Sequence, residues 1–548
     1  MYNFGLSRRQ AGALAPDQTY RPPTQSDFDA AVGELKKVLP EECFSDDLDD
    51  LKSRSMSDWS YHNPGGLHGA VLYPRFTEDV VSIVKIAATH HIPLIPYAGG
   101  TSLEGHFDAP SYPSAPLSRS VATSEPIPDT ASGTTSSEQS RSDKDDQSER
   151  GVSFVLDFSE NMANILELHE TDLDVVVQPG LKYEVLNAEL KERRTGLFFP
   201  VDPGPGAAIG GMIGTGCSGT NAVRFGTMRE NVINLTVVLP NGKVIKTRQR
   251  ARKSSAGPDL GRLFIGAEGT LGIVTEATLR LQPVLPTSVG VASFPSVEAA
   301  VNAVNDLVRA GVGLQCVELL DDVMMKAVNK KGGGQEGKKN VEAWHEKPSL
   351  FIKFVGSEEH IGRDAKSTGE LLFMISTIFK RHRGSELKFA KSEREKEDLW
   401  YARKVALWSA MDFVPRSRCW TTDVCVPISQ LPQLVRETKE DLASVGLIAP
   451  IVGHVGDGNF HALILFTDDK ELDEARGAVD RMVRRAQRLG GTCTGEHGVG
   501  VGKKRYLENE LGKGTVQLLR DIKKMIDPLN IMNPGKLIPE VEADGERK

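Results

Sequence analysis

Apolar residues recur along this chain with two periods, and the switches between them lay out its elements. Over 27–39, Phe28, Val32, Leu35 and Val38 share one face of a 3.6-residue spiral and predict the amphipathic helix that opens the folded part. Ala70-Val71-Leu72-Tyr73 reads as a strand, 78–90 as a helix carrying Val80, Val81, Val84 and Ile86, and 93–97 as a second strand, together a βαβ unit. Further strands are predicted at 152–158 and 174–178, then a helix over 182–192. Runs 234–239 and 244–247 flank Pro240-Asn241-Gly242-Lys243, whose Asn-Gly pair is a strong hairpin signal, and 272–281 is another apolar segment. From about 286 to 495, helices such as 297–310 and 471–489 alternate with strands such as 350–354 and 449–454, which marks a second α+β domain.

Two stretches break the pattern. Between Phe107 and Gly151 the chain is rich in Ser, Pro, Thr and charge and lacks the apolar periodicity that would offset ordering entropy, so it is expected to be a disordered insertion. From Phe199 to Gly226 the chain is dense in Pro and Gly. At 548 residues the chain is too long for one core. The expected division is a disordered or targeting end at 1–26, a first domain at 27–285 interrupted by the insertion 107–150, a second at 286–500, and a helical segment at 501–548.

Charge and cysteine usage narrow the chemistry. A net charge of -8 opposes nucleic acid as a partner, because binding it requires a basic surface that displaces counterions from phosphates. The 6 cysteines are scattered without a CxxC pair, which indicates neither a disulfide framework nor a thiolate zinc site. No apolar run approaches the roughly 20 residues of a membrane span, so any membrane contact is expected to be peripheral. Residues 1–16 hold Ser7, Arg8 and Arg9 and no acid; this resembles a mitochondrial targeting segment without its long Arg-rich stretch, the alternative being an unstructured end on a cytoplasmic protein.

Candidate chemistry lies in two glycine-dense stretches and two histidine-bearing ones. Pro96-Tyr97-Ala98-Gly99-Gly100-Thr101-Ser102-Leu103-Glu104-Gly105 follows a strand, and its paired glycines let successive N–H groups converge on a pyrophosphate. Gly210-Gly211-Met212-Ile213-Gly214-Thr215-Gly216-Cys217-Ser218-Gly219 is expected to expose further backbone donors to a large planar ligand. Either stretch alone is equally compatible with a structural loop. Gly214-x-Gly216-x-x-Gly219 matches the dinucleotide fingerprint in form only, since it has neither a buried strand before it nor an acid about 20 residues on. A nicotinamide-binding Rossmann fold is therefore rejected.

In His454-Val455-Gly456-Asp457-Gly458-Asn459-Phe460-His461, Asp457-Gly458 is a favoured two-residue hairpin turn. Pairing outward sets 455 opposite 460 and 454 opposite 461, with Cβ atoms about 4.5 to 5.5 Å apart, close enough to share a metal. Hydrogen-bonded or surface histidines are the other reading. Gly495-Glu496-His497-Gly498 supplies a carboxylate and a further histidine in a glycine-flanked turn.

Taken together, Pro96 to Gly105, Gly214 to Gly226, Phe264-Ile265-Gly266-Ala267-Glu268-Gly269-Thr270-Leu271-Gly272-Ile273-Val274 and Asn533-Pro534-Gly535-Lys536 resemble the flavin domain of the vanillyl-alcohol-oxidase-like superfamily, and within it the cytochrome-type D-lactate dehydrogenases. The resemblance covers about 30–540 apart from the insertion. It implies an α+β fold: a two-subdomain PCMH-type FAD-binding domain, an α+β substrate domain with an antiparallel sheet, and a C-terminal segment returning to the FAD domain. It implies FAD contacts at Gly99, Gly100, Thr101, Ser102, Gly105, Pro203, Gly210, Gly211, Gly214, Ser218, Gly219, Asn221, Gly226, Glu268, Ile273 and Asn533. Covalent members often carry a histidine where Thr101 stands, so noncovalent FAD is expected.

The resemblance further assigns a divalent metal to His454, His461 and Glu496, and the base to His497, expected to titrate near neutrality. A nitrogen-rich, oxygen-completed shell suits Zn²⁺, Mn²⁺ or Fe²⁺. Arg403 in Leu399-Trp400-Tyr401-Ala402-Arg403 matches a carboxylate-binding arginine, the alternative being a surface residue, and Thr421 and Asn459 are expected substrate contacts. Thr421-Thr422-Asp423-Val424-Cys425-Val426-Pro427 resembles the lactate-type members, whereas D-2-hydroxyglutarate relatives tend to place a lysine near Thr421. The implied reaction is oxidation of a D-2-hydroxy acid, D-lactate first, with cytochrome c or another carrier as electron acceptor. A same-fold alkyl-glycerone-phosphate synthase and a catalytically silent flavin-binding protein are the competing readings. Oligomeric state is left unassigned.

Overall fold

The computed structural model describes residues 20–62, 66–110, 150–331, 343–355 and 365–540, with the side chains of 365–372 excepted. Most of the expected N-terminal segment and of the insertion lie outside the described residues. The chain before the insertion is ordered further than expected. Phe107 is buried, its carbonyl lies 2.9 Å from the buried His68 imidazole, and the Asp108 carbonyl accepts from Lys536 at 2.8 Å.

Helix Gln25–Val38 starts at Thr24, whose hydroxyl accepts from the Asp27 backbone N–H while the Asp27 side chain accepts from the Thr24 N–H, a capping box that satisfies two end donors. Phe28, Ala31 and Leu35 are buried, whereas Val38, expected on the same face, is exposed at the last turn. The helix covers a four-stranded sheet in the order Phe44–Ser45, Ala70–Leu72, Phe154–Asp157, Leu94–Tyr97. The predicted βαβ unit is present, with helix Thr77–His90 as its crossover, but Phe154–Asp157 lies between its two strands, parallel to both. The chain returning from the insertion thus fills the centre of the sheet.

A five-stranded antiparallel sheet follows, ordered Ile165–His169, Asp174–Val177, Ile273–Arg280, Val232–Val238, Val244–Lys246. The hairpin predicted at Asn241-Gly242 is its edge pair. Residues expected to form a second glycine loop instead make the short helix Ile209–Thr215, ended by Gly216 at φ +66°. Ile209, Met212 and Ile213 bury one face, and helix hydrogen bonds take up part of the backbone thought available to a ligand.

The third sheet is antiparallel and holds eight strands: Lys388–Phe389, Thr287–Ser293, Ser349–Val355, Leu314–Leu320, Ile451–Gly453, Asn459–Phe466 and Arg418–Thr421 in order, with Val424–Cys425 also paired to Asn459–Phe466. Helices Val297–Arg309, Leu431–Ser444 and Asp469–Arg488 pack into the core on one face. Helices Asp322–Lys330, Glu393–Lys404 and Ala406–Met411 pack into the core on the other. After helix Lys513–Ile526 the chain turns back to the first sheet, where Leu94 N–H donates to Ile531 O at 2.7 Å and Asn533 N–H to Leu94 O at 2.9 Å. Among the described residues no helix is long and apolar enough to cross a membrane.

Candidate active site

A cavity of about 2050 Å³ runs between the two glycine-bearing sheets and the third sheet. Gly99, Gly100, Thr101, Ser102, Pro203, Gly210, Gly211, Gly214, Gly219, Glu268, Ile273 and Asn533 line one side. The wall turns sharply at Gly100, whose φ of +67° disfavours any residue with a Cβ. A Cβ on Gly211 would meet nothing within 4 Å, so this wall is backbone facing open space. Asn533 donates to the carbonyls of His106 and Glu268 at 3.0 and 2.7 Å, while its own buried oxygen has no partner among the described residues. Unused polar atoms along a long glycine-walled cleft fit a dinucleotide cofactor.

Four of the expected cofactor contacts are not on the cavity wall. Gly105 turns beside Asp108, and Gly226 terminates a helical turn against Glu230. Asn221 is buried behind the wall, donating to Pro200 O and accepting from Gln315 and Cys316. Ser218 donates to Glu496 Oε2 at 2.7 Å, so it touches that carboxylate instead of the cleft wall. Asn459, expected at the substrate, is also off the wall, because it is spent on Asp423 Oδ1 and Val424 O at 2.7 and 3.0 Å.

His454, His461, Glu496, His497, Arg403 and Thr421 line the same cavity. The hairpin register differs from the expected one: Val452, not His454, stands opposite His461. The His454 carbonyl accepts from Asp457 N–H at 3.0 Å, so 454–458 close as a turn outside the ladder, with Gly458 at φ +83°. The imidazoles meet even so, with ring centroids 5.5 Å apart. His454 Nε2 and His461 Nε2 lie 3.2 and 3.1 Å from one oxygen of Glu496.

Each outer ring nitrogen is anchored, His454 Nδ1 2.8 Å from Glu318 Oε1 and His461 Nδ1 2.9 Å from Thr422 O. Two inward nitrogens, one carboxylate and outward anchors fit the donor set that a metal ion would require. His454 is buried, which alone would disfavour its cation, but the flanking Glu318 and Glu496 carboxylates raise its pKa well above the ordinary histidine value. Two carboxylates converging on one imidazole are thus balanced by positive charge, which a divalent cation would also supply.

His497 stacks on His461 with ring centroids 4.9 Å apart, its Nε2 4.0 Å from Glu496 Oε1 and its buried Nδ1 4.0 Å from Asp423 Oδ2, without a hydrogen bond among the described residues. It does not titrate near neutrality: burial lowers its pKa to about 4, so it is neutral at physiological pH. Arg403, in the last turn of Glu393–Lys404, is no surface residue, since its Nε donates to the fully buried Glu318 at 2.7 Å.

Sequence reasoning missed two carboxylates here. Asp423 Oδ2 accepts from Thr494 Oγ1 and from the N–H groups of Gly495, Glu496 and His497 at 2.8–2.9 Å, and so holds the turn that carries Glu496 and His497. Burial would raise its pKa, but Lys503 and the neighbouring histidines hold it far below the carboxylate range. Glu318 sits on strand Leu314–Leu320, and a lone acid in Leu-Gln-Cys-Val-Glu-Leu-Leu was the available signal.

The comparisons agree with this architecture. The family model for FAD linked oxidases, C-terminal domain, matches residues 286–537, and that for a FAD binding domain matches 126–248. The chain is 41% identical over 520 residues to "D-lactate dehydrogenase [cytochrome] 1, mitochondrial" of Saccharomyces cerevisiae, covering 93% of this chain and 80% of that protein. It is 40% identical over 513 residues to "D-lactate dehydrogenase [cytochrome], mitochondrial" of Arabidopsis thaliana, covering 93% and 80%. The solved structure of p-cresol methylhydroxylase with substrate bound superposes with a TM-score of 0.70 at 17% identity over 94% of this chain and 98% of that one, a likeness of fold. On the evidence of sequence and fold together, the chain belongs to the PCMH-type FAD-linked oxidases, in the family of the cytochrome D-lactate dehydrogenases.

Proposed function

We propose that this protein oxidises D-lactate to pyruvate in the mitochondrion, with noncovalent FAD as hydride acceptor, a divalent cation (Zn²⁺, Mn²⁺ or Fe²⁺) at His454, His461 and Glu496, and cytochrome c as the electron acceptor. The observation that carries this reading is the convergence of His454, His461, Glu496, His497 and Arg403 on the cavity whose far wall is the FAD-binding glycine stretch. Along the glycine wall a flavin would supply a hydride acceptor for Cα–H, and a divalent cation held by His454, His461 and Glu496 would supply Lewis acidity at the substrate hydroxyl. Arg403 offers its terminal nitrogens as a fork to the substrate carboxylate, its Nε being committed to Glu318. His497, neutral at rest, accepts the hydroxyl proton at Nε2, the nitrogen turned toward Glu496. Fixing carboxylate, hydroxyl and Cα–H at three points selects one enantiomer.

A monocarboxylate is favoured by the wall around Thr421. Besides Arg403, the lysines and arginines lining the cavity among the described residues are Lys404, Arg418 and Arg476, all exposed, the last two paired with Asp469 and Asp473. A second carboxylate beside Thr421 would be desolvated without a partner, which is costly. The test is the visible flavin spectrum of the oxygen-free protein before and after D-lactate, with L-lactate, glycolate and D-2-hydroxyglutarate in parallel. Selective bleaching by D-lactate is expected. Equal bleaching by D-2-hydroxyglutarate would overturn the substrate assignment, and a bound flavin that no hydroxy acid reduces would overturn the activity.

A further inference from the structure

We infer that Glu318 is a positioning residue that sets the metal-binding and carboxylate-binding halves of the site with one buried carboxylate. The inference rests on the proposed function and extends it to a residue that touches neither substrate nor cofactor.

Along Leu314–Leu320 side chains alternate, so Val317 and Leu319 enter the core on one face while Cys316 and Leu320 enter that on the other. Glu318 shares the second face and is fully buried. A bare carboxylate there would be costly, and its two oxygens are divided between two partners: Oε1 lies 2.8 Å from His454 Nδ1 and Oε2 2.7 Å from Arg403 Nε. An ionised carboxylate only accepts, so His454 must carry a hydrogen on Nδ1, and a cation bound beside Glu496 would replace the proton on Nε2 and meet its lone pair. The same group holds the Arg403 guanidinium by its Nε edge, which leaves the two terminal nitrogens uncommitted to it at the cavity lining. The strand is rigid, pairing on both sides with Ser349–Val355 and Ile451–Gly453, so both side chains are referred to one fixed point.

Glutamine has nearly the same shape but one acceptor oxygen and one donor nitrogen, so Glu318→Gln can satisfy only one partner. If its nitrogen faces His454, the imidazole must take the opposite tautomer and present N–H to the metal. If it faces Arg403, two donors collide and the guanidinium shifts. Glu318→Ala should release both.

The test uses the FAD-loaded full chain, stripped of metal by chelation. Mn²⁺ alone is titrated first, then pyruvate alone, followed by perturbation of the flavin spectrum. Wild type is expected to bind one equivalent of Mn²⁺. Glu318→Gln should lose roughly 10 to 100-fold in affinity for Mn²⁺ or for pyruvate, the range seen when a metal ligand loses its outer partner, and Glu318→Ala should lose in both. A Gln variant that binds both like wild type would overturn the inference. Wild type that binds no Mn²⁺ would instead overturn the metal assignment in the proposed function. Should neither variant fold, nitrogen NMR of histidine-labelled, zinc-loaded wild type decides the point: His454 protonated on Nδ1 supports the role, and on Nε2 rejects it.

Discussion

His497 shows how much a side chain's chemistry depends on what surrounds it. Its sequence context promises an ordinary imidazole, but burial in the cavity wall, with the charge of neighbouring His461, presses its pKa to about 4 and leaves it a resting acceptor. Replacing it by alanine should leave FAD content unchanged and slow flavin reduction by D-lactate at least roughly 10²-fold in stopped flow, the lower bound for losing a general base. Near-wild-type reduction would reject the role. Asp423 is the structural counterpart. It accepts from three successive N–H groups, and Lys503, itself 3.2 Å from Glu104, lies 3.4 Å away. Asp423→Ala strands those donors and a buried ammonium, and should cost roughly 3 to 5 kcal/mol of stability, read as a lower unfolding midpoint. Asp423→Asn, which keeps one acceptor oxygen, should cost less. The cluster of His454, His461 and Glu496 was legible because glycine-flanked motifs announce its members. Asp423 and Glu318 were not, because what marks them is the set of partners brought from up to 136 residues away, as for Glu318 and His454.

At the scale of elements, the helices behind the third sheet are fastened by charge as well as by apolar burial. Asp441 of Leu431–Ser444 accepts from Arg481 and Arg485 of Asp469–Arg488 at 2.8–3.0 Å. Its partial burial works against ionisation, but the two guanidinium groups outweigh that and hold its pKa below the ordinary value. A folded pKa below the unfolded one means stability that is present above about pH 4 and lost as pH falls toward the folded value. Asp441→Asn should therefore lower the melting temperature at pH 7 by roughly 2 °C, as expected for a pair worth about 1 kcal/mol. The gap should narrow below about pH 4, and a gap constant down to pH 3 would refute the linkage. Amphipathic helices such as Asp469–Arg488 and the Asn-Gly hairpin were readable because their signals are local. The helix Ile209–Thr215 was not, because three glycines weaken its intrinsic propensity and burial of Ile209, Met212 and Ile213 supplies what propensity lacks. The His454 turn misled for a related reason: Asp-Gly favours a tight hairpin, but Val426 N–H bonds the Gly458 carbonyl and draws the turn into a third strand's partner set.

For the whole molecule, the order of strands in the first sheet depends on a return across the insertion, and its far edge depends on residues beyond 526; neither is written in any local window. Leu529, Ile531 and Met532 are buried in the core that Leu94 and Phe154 build, and the Met532 backbone is further tied through Asp527 and Lys523. This places residues 529–532 beside the strand that leads into Gly99–Ser102, the cavity's glycine wall. A change there should act on the flavin without touching it. Met532→Ala removes a side chain with no exposed surface and should cost roughly 2 to 5 kcal/mol through lost burial and the cavity left behind. Because the packing it loosens supports the cavity's glycine wall, where FAD is proposed to bind, flavin fluorescence released on heating should appear at a lower temperature than in wild type, in step with the loss of helical ellipticity. Flavin release at the wild-type temperature, with only the ellipticity transition moved, would show instead that the C-terminal return stabilises the third sheet's domain and that the FAD wall stands without it.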